Sequence, residues 1–217
     1  MRPRREPIPD AVGLDLRTKP TISGTLVTLR PFREGDAEVM AEILSDPEVR
    51  ALTGSVATTV EAHAGQPWDE LLVEWYATRS DQPDRLDLAV EDVASGRLVG
   101  EVVLNELDRQ DRSCNLRVLV GPAGRGRGLG TEAVGLATGY GIERLGLRRI
   151  TLEVFSHNPR ARRVYERVGY AVTRLRPGAL VFDGAAVTAV DMAVEAERWQ
   201  GFPPPDGSAG LVDASGT

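Results

Sequence analysis

The sequence predicts a mixed α/β fold on three observations. Early segments alternate apolar and polar residues across a tight turn, and later segments alternate strands with amphipathic helices. Between them, an apolar strand runs into a glycine-rich, basic loop that opens a helix. Residues 25–30 alternate as a strand, and Pro31 closes it. Residues 34–44 are helical with Val39, Met40, Ile43 and Leu44 on one side; 68–78 form a second helix striped by Leu71, Leu72, Trp75 and Tyr76. Residues 86–91 and 98–107 are strands joined at Ala94-Ser-Gly96. Residues 115–120 feed the glycine loop, and Leu129, Ala133, Leu136, Ala137 and Tyr140 line one face of the helix after it. Gly135, Gly139 and Gly141 each weaken that helix by about 1 kcal/mol relative to Ala, which predicts close packing against the sheet. Residues 149–155 are a strand. Asn158 caps the next helix, Pro159 takes its first position and Gly169 ends it. Tyr170 begins another strand, and 187–195, after the turn at Asp183-Gly184, is the last.

Composition narrows the class. A chain of 217 residues with 41% apolar content buries one sizeable core. A net charge of -6 argues against nucleic acid as a partner. The lone Cys114 excludes an internal disulfide, and His63 and His157 give no metal-ligand spacing. No apolar run approaches the roughly 20 residues that span a bilayer, and the first residues have no signal-peptide core, so a cytoplasmic protein without membrane contact is expected. Residues 1–22 and 201–217, rich in Pro, Gly and charge without periodicity, read as flexible arms around a domain at 23–200.

The loop reads Arg125-Gly-Arg-Gly128-Leu-Gly130-Thr131. Glycines admit a ligand close to the backbone, the first helical amides lack intrahelical acceptors, and the dipole adds about half a positive charge. The sum is an anion site. Gly128-Leu-Gly130-Thr-Glu-Ala133 also matches a dinucleotide fingerprint with Glu153 as its later acid. That fingerprint wants a tight strand-to-helix turn, whereas several residues separate Val120 from Gly128. The sequence contains no Gly-Lys-Ser/Thr phosphate loop.

Arg125-x-x-Gly128-x-Gly130 resembles the Arg-x-x-Gly-x-Gly signature of the GNAT superfamily of acyl-CoA-dependent N-acyltransferases. Asn158-x-x-Ala161-x-x-x-Tyr165-Glu166-x-x-Gly169-Tyr170 is similar to that superfamily's second motif. Leu26-x-x-Leu-Arg-Pro-Phe32 with Asp36 and Asp46, and the run Gly128 to Ala133, resemble the branch related to ribosomal-protein N-terminal acetyltransferases. The resemblance implies a twisted mixed sheet of about six to seven strands with a splayed parallel pair, flanked by about four helices. It implies acetyl-CoA as acyl donor between strands 115–120 and 149–155. Backbone near Val118 and Val120 would meet the pantetheine arm. The loop of Arg125, Gly126, Arg127, Gly128, Leu129, Gly130 and Thr131 would hold the pyrophosphate, with Asn158 alongside. A primary amine would attack the thioester directly: a protein or peptide N-terminus, or alternatively an aminoglycoside or other small amine. Glu153 stands where some relatives keep the base, Tyr165 would protonate the departing thiolate, and no metal takes part. A homodimer is compatible with this picture.

Deprotonating an α-amine of pKa near 8 costs under about 1 kcal/mol at neutral pH, against roughly 4 to 5 for a lysine-type amine, so a carboxylate base has work to do. Plainer roles stand beside these. Tyr165 lies on an apolar stripe and serves equally as a packed core tyrosine; Glu153 fits a solvent-facing strand position, with Glu101, Glu106 and Asp108 as substitutes. Arg160, Arg162, Arg163 and Arg167 fit a solvated helix face, and Cys114 a small buried hydrophobe. Asp46, Glu48, Glu61, Asp69, Glu70 and Glu74 with Trp68, Trp75 and Tyr76 are either an acidic, aromatic mouth for a cationic amine or the outer faces of two helices. A non-catalytic acyl-CoA-binding module and a dinucleotide-dependent oxidoreductase are the readings from other classes.

Overall fold

The structure, a computed structural model, describes residues 14–65 and 70–202. Its strands are β1 Ile22–Ser23, β2 Val27–Arg30, β3 Leu86–Asp92, β4 Arg97–Asp108, β5 Ser113–Val120, β6 Arg149–Phe155, β7 Ala171–Phe182 and β8 Ala185–Glu195. Its helices are α1 Asp36–Leu44, α2 Pro47–Leu52, α3 Thr59–His63, α4 Glu70–Ala77, α5 Leu129–Gly139 and α6 Pro159–Val168. The strands form one open sheet in the order β1-β2-β3-β4-β5-β6-β8-β7. β5 and β6 are its parallel pair; the other neighbours are antiparallel. The mixed α/β class with a parallel pair is as the sequence implies.

Both faces of the sheet are covered. On one, α5 lays Leu129, Ala133, Val134 and Ala137 over Val27, Leu29, Leu88, Val102, Leu104 and Ile150. On the other, Ala37, Met40 and Ile43 of α1, Val49 of α2 and Tyr76 of α4 cover Ala89 and Leu98. Each fully buried Leu, Ile or Met in these layers is worth about 1.5–3 kcal/mol over its exposed state. No helix among the described residues is long and apolar enough to cross a membrane.

Several expectations need correction. Residues 14–22 are not part of a flexible arm: Leu14 and Leu16 are buried, Ile22 pairs with Leu29, and Lys19 Nζ donates to the carbonyls of Leu16, Gln82 and Arg85 at 2.5–2.7 Å. At the other end, the ring of Phe202 lies against α5, where a Cβ on Gly135 would come within 2.3 Å of it. Gly135 is therefore small for the C-terminal segment, not for the sheet; Gly141 is the one under Ile150. β1, α2 and α3 exceed the expected count. The helix expected at 68–78 runs Glu70–Ala77, with Trp68 outside the described residues.

Candidate active site

β5 and β6 pair at Ser113/Arg149, Cys114/Ile150 and Asn115/Thr151, and then part. β5 remains bonded to β4 as far as Val120 opposite Gly100, and β6 remains bonded to β8 along its length. Each strand is thus held from outside while a gap opens between them. Gly121 N donates to the Val99 carbonyl of β4 at 2.8 Å. Backbone groups alternate sides along a strand, so Leu119 and Arg117 turn theirs to β4 while Val118 and Val120 turn theirs to the gap. Thr151 Oγ1 agrees, donating across to the Cys114 carbonyl at 3.1 Å. The Val120 carbonyl already accepts from Arg125 Nε at 3.3 Å, so its amide is the group the gap presents. Gly100 is needed here: a Cβ would lie 2.0 Å from the Leu119 carbonyl oxygen. A glycine inside a strand pattern is the sequence signal for such an approach.

Past Val120 a short turn at Pro122–Gly124 leads into the glycine loop. Gly126 and Gly128 have φ of 75° and 84°, a region glycine enters without strain. The first backbone bonds of α5 run from Thr131 and Glu132 to the Gly128 carbonyl. The amides before them have no intrahelical acceptor and form the anion-binding face. Glu132 anchors this helix start. Its buried carboxylate accepts from the amides of Thr25, Leu26 and Val27 at 2.6–3.0 Å, tying α5 to the start of β2. In sequence it reads only as an acid suited to a helix N-terminus.

The arginine side chains of the loop are engaged by the protein itself. Arg125 donates to Asp46 at 2.5 Å and Glu48 at 2.6 Å, and Arg160 of α6 meets the other oxygen of Glu48 at 2.6 Å. Arg127 donates to Asp92 at 3.0 Å and to the Ala123 carbonyl at 2.8 Å. Burial alone would raise the Asp46 carboxyl, but bonds from Arg125 and the Val49 amide carry it below the usual range. The loop therefore offers an anion its backbone. Of the acids and aromatics that read either as a mouth for a cationic amine or as the outer faces of two helices, Asp46 and Glu48 are paired with arginine, Glu61 accepts from the Ala57 amide, Tyr76 is buried, and Trp75 lies under the Arg79 guanidinium at 3.3 Å. Asp69 lies with Trp68 outside the described residues.

Asn158 caps α6, its Oδ1 accepting from Ala161 N at 3.0 Å, beside the open ends of β5 and β6. Tyr165 is 6% exposed and packs edge-on against Tyr170, ring centroids 6.1 Å apart; burial pushes its phenol up to about 12. Cys114 is buried, and its thiol is likewise pushed up to about 12, which suits a small hydrophobe and not a nucleophile. Glu153 lies half-exposed on β6, paired with Arg176, which also holds Asp191 at 3.0 Å. On β4, Glu101 accepts from Tyr76 Oη at 3.2 Å. Burial first, and then the nearby Asp87 charge, push its carboxyl up to about 7 against the pull of Tyr76, Arg117 and Arg85.

The sequence profile of the acetyltransferase (GNAT) domain matches residues 27–171. The chain belongs to that family. Among curated relatives, spermidine N(1)-acetyltransferase of Escherichia coli K12 is 32% identical over 77 residues, 36% of this chain; the chain thus spans about two-fifths (41%) of that relative's length. YdaF of Bacillus subtilis, named provisionally as a ribosomal N-acetyltransferase, is 22% identical over 81% of this chain and 94% of its own, in line with the branch resemblance. Among solved structures, spermidine N-acetyltransferase from Vibrio cholerae in complex with CoA and spermine superposes with a TM-score of 0.67 at 21% identity, covering 80% of this chain and 97% of its own. That likeness establishes the shared GNAT fold.

Proposed function

We propose that the chain transfers an acetyl group from acetyl-CoA to a primary amine, and that a peptide N-terminus is the acceptor best suited to the site. The observation that carries this reading is the gap between β5 and β6: two strands held apart, the Val118 and Val120 backbone turned into it, and a glycine-lined helix N-terminus at its end. An extended amide-bearing arm adds to such an edge as a strand does, and a pyrophosphate suits unpaired helical amides. Acetyl-CoA, when bound, supplies an activated thioester.

The residues then have separate tasks. The amides of Gly126 to Gly130 hold phosphate oxygens, with no assistance needed from the Arg127 side chain. Asn158 caps α6 through Oδ1 and borders the arm. A carboxylate beside the gap takes one proton from the ammonium, freeing the nitrogen lone pair to form the new C–N bond as the C–S bond breaks. The second nitrogen proton is released, and the sulfur gains a proton. The products are the N-acetylated amine and a thiol, with one net proton released. Tyr165 stays protonated throughout the working range and donates to the sulfur. Full transfer from a phenol near 12 to an ordinary thiolate, of thiol pKa near 8–9, is uphill by roughly 4–5 kcal/mol. The same burial lifts the Cys114 thiol to about 12, so a thiolate desolvated to that degree is matched to the phenol.

The acids nearest the loop are held by arginine, a poor setting for a multiply charged amine, whereas a single α-ammonium needs one carboxylate. A small polyamine is the second reading, favoured by the similarity to spermidine acetyltransferases. A free, buried Cys114 fits a cytoplasmic setting. The test is acetyl-CoA-dependent thiol release with N-terminal peptides, aminoglycosides and polyamines. Turnover on peptides is expected; turnover on polyamines alone moves the assignment to the second reading; silence on all amines, with acetyl-CoA still bound, removes the transferase reading.

A further inference from the structure

We propose that Glu101 of β4, not Glu153 of β6, accepts the ammonium proton; the inference rests on the acetyltransferase reading above. The two carboxylates lie on one side of the sheet, Glu153 on a strand that edges the gap and Glu101 one strand in, across β5. Glu101 stands opposite Leu119 on β5, level with the stretch where β5 has already left β6. The register Asn115/Thr151 brings Glu153, two residues further along, to the same side.

Their surroundings differ in kind. Glu153 is locked to Arg176, which also grips Asp191, the residue opposite Glu153 on β8. A proton on Glu153 would break that ion pair, so it is a poor acceptor. Glu101 has no such lock. Tyr76 of α4 donates to it at 3.2 Å, and Asp87 of β3, 2% exposed, lies close by but is already held by Arg85 through two bonds of 2.7 Å. Arg117 of β5 and Arg79, just after α4, complete the charged groups around it. Partial burial and the Asp87 charge disfavour the carboxylate, while Tyr76, Arg117 and Arg85 favour it, and the balance leaves the group near 7. Glu101 is partly buried among these groups, with Tyr76 as its hydrogen-bond partner. A carboxyl near neutrality, on the face of the sheet where β5 leaves β6 and not locked in an ion pair, is the setting of a general base.

The test is the pH profile of kcat/KM for thiol release by the full chain with a peptide amine. Glu101 must be ionised to act, so activity rises with pH along a limb centred near 7. E101Q should lower kcat about a hundred-fold, leave the KM for acetyl-CoA within twofold and abolish that limb. E153Q should lower the rate several-fold by loosening Arg176 and keep the limb. Y76F removes a donor to the carboxylate and should move the limb to higher pH. Retention of the limb in E101Q with its loss in E153Q overturns the assignment, as does an unmoved limb in Y76F. If the wild type turns over no amine, the transferase reading fails and this inference with it; if the wild type turns over and E101Q matches it, only the inference fails.

Discussion

The two sides of this molecule are prepared differently. On the cofactor side, β5, the glycine loop and α5 present backbone groups to the gap, and buried anchors such as Glu132 hold them there. On the other side, α2 to α4 present side chains committed to one another: Asp46 and Glu48, nearest the loop, to Arg125 and Arg160, and, further off, Trp75 to Arg79. Backbone geometry is fixed by the sheet and binds a constant ligand. Side-chain pairs rearrange without unfolding anything, so under the proposed function acceptor choice would be expected among them.

The comparison is broken most severely at its anchor. E132A strands three amides, each costing about 1–3 kcal/mol, so a loss of at least about 3 kcal/mol is expected. For a domain of this size that lowers Tm by about 6–12 °C, read by thermal unfolding, with acetyl-CoA affinity weakened as α5 loses its tie to β2. Y165F is next. Removing the phenol proposed above to protonate the sulfur should cut kcat by about 10- to 100-fold, with the KM for acetyl-CoA within twofold. G128A forces a side chain to φ 84°, at about 1–2 kcal/mol, and should weaken acetyl-CoA binding about 5- to 10-fold by calorimetry. E48Q sharpens the contrast from the other side: it loosens Arg125 and Arg160, and acetyl-CoA should bind a few-fold more tightly, chiefly at low salt. R127A should be the mildest, because its guanidinium is already paired with Asp92; acetyl-CoA affinity should stay within twofold.

What the sequence disclosed follows the same division. The strand at 149–155, the Asn158 cap and the left-handed Gly169 stop appear as expected because each is set by signals within a few residues. Asp46-Pro47, and Thr58 capping the Glu61 amide while Glu61 accepts from the Ala57 amide, also mark α2 and α3 locally, but helices of six and five residues are too short to show a period. Long-range partners left no trace. Lys19 sits in a Pro- and Arg-rich stretch that reads as an arm, yet its bonds reach Gln82 and Arg85. Glu132 finds its amides 105–107 residues away. Alternation marks Glu101 as facing one side of β4, but nothing near it predicts that Tyr76 and Asp87 come to it there.

The most direct measurement is amide hydrogen exchange with and without acetyl-CoA. Bound acetyl-CoA should slow exchange at Val118, Val120 and the amides of Gly126 to Gly130, and leave α4 unchanged. Protection confined to α2–α4, or none in the gap at saturating acetyl-CoA, would contradict the account.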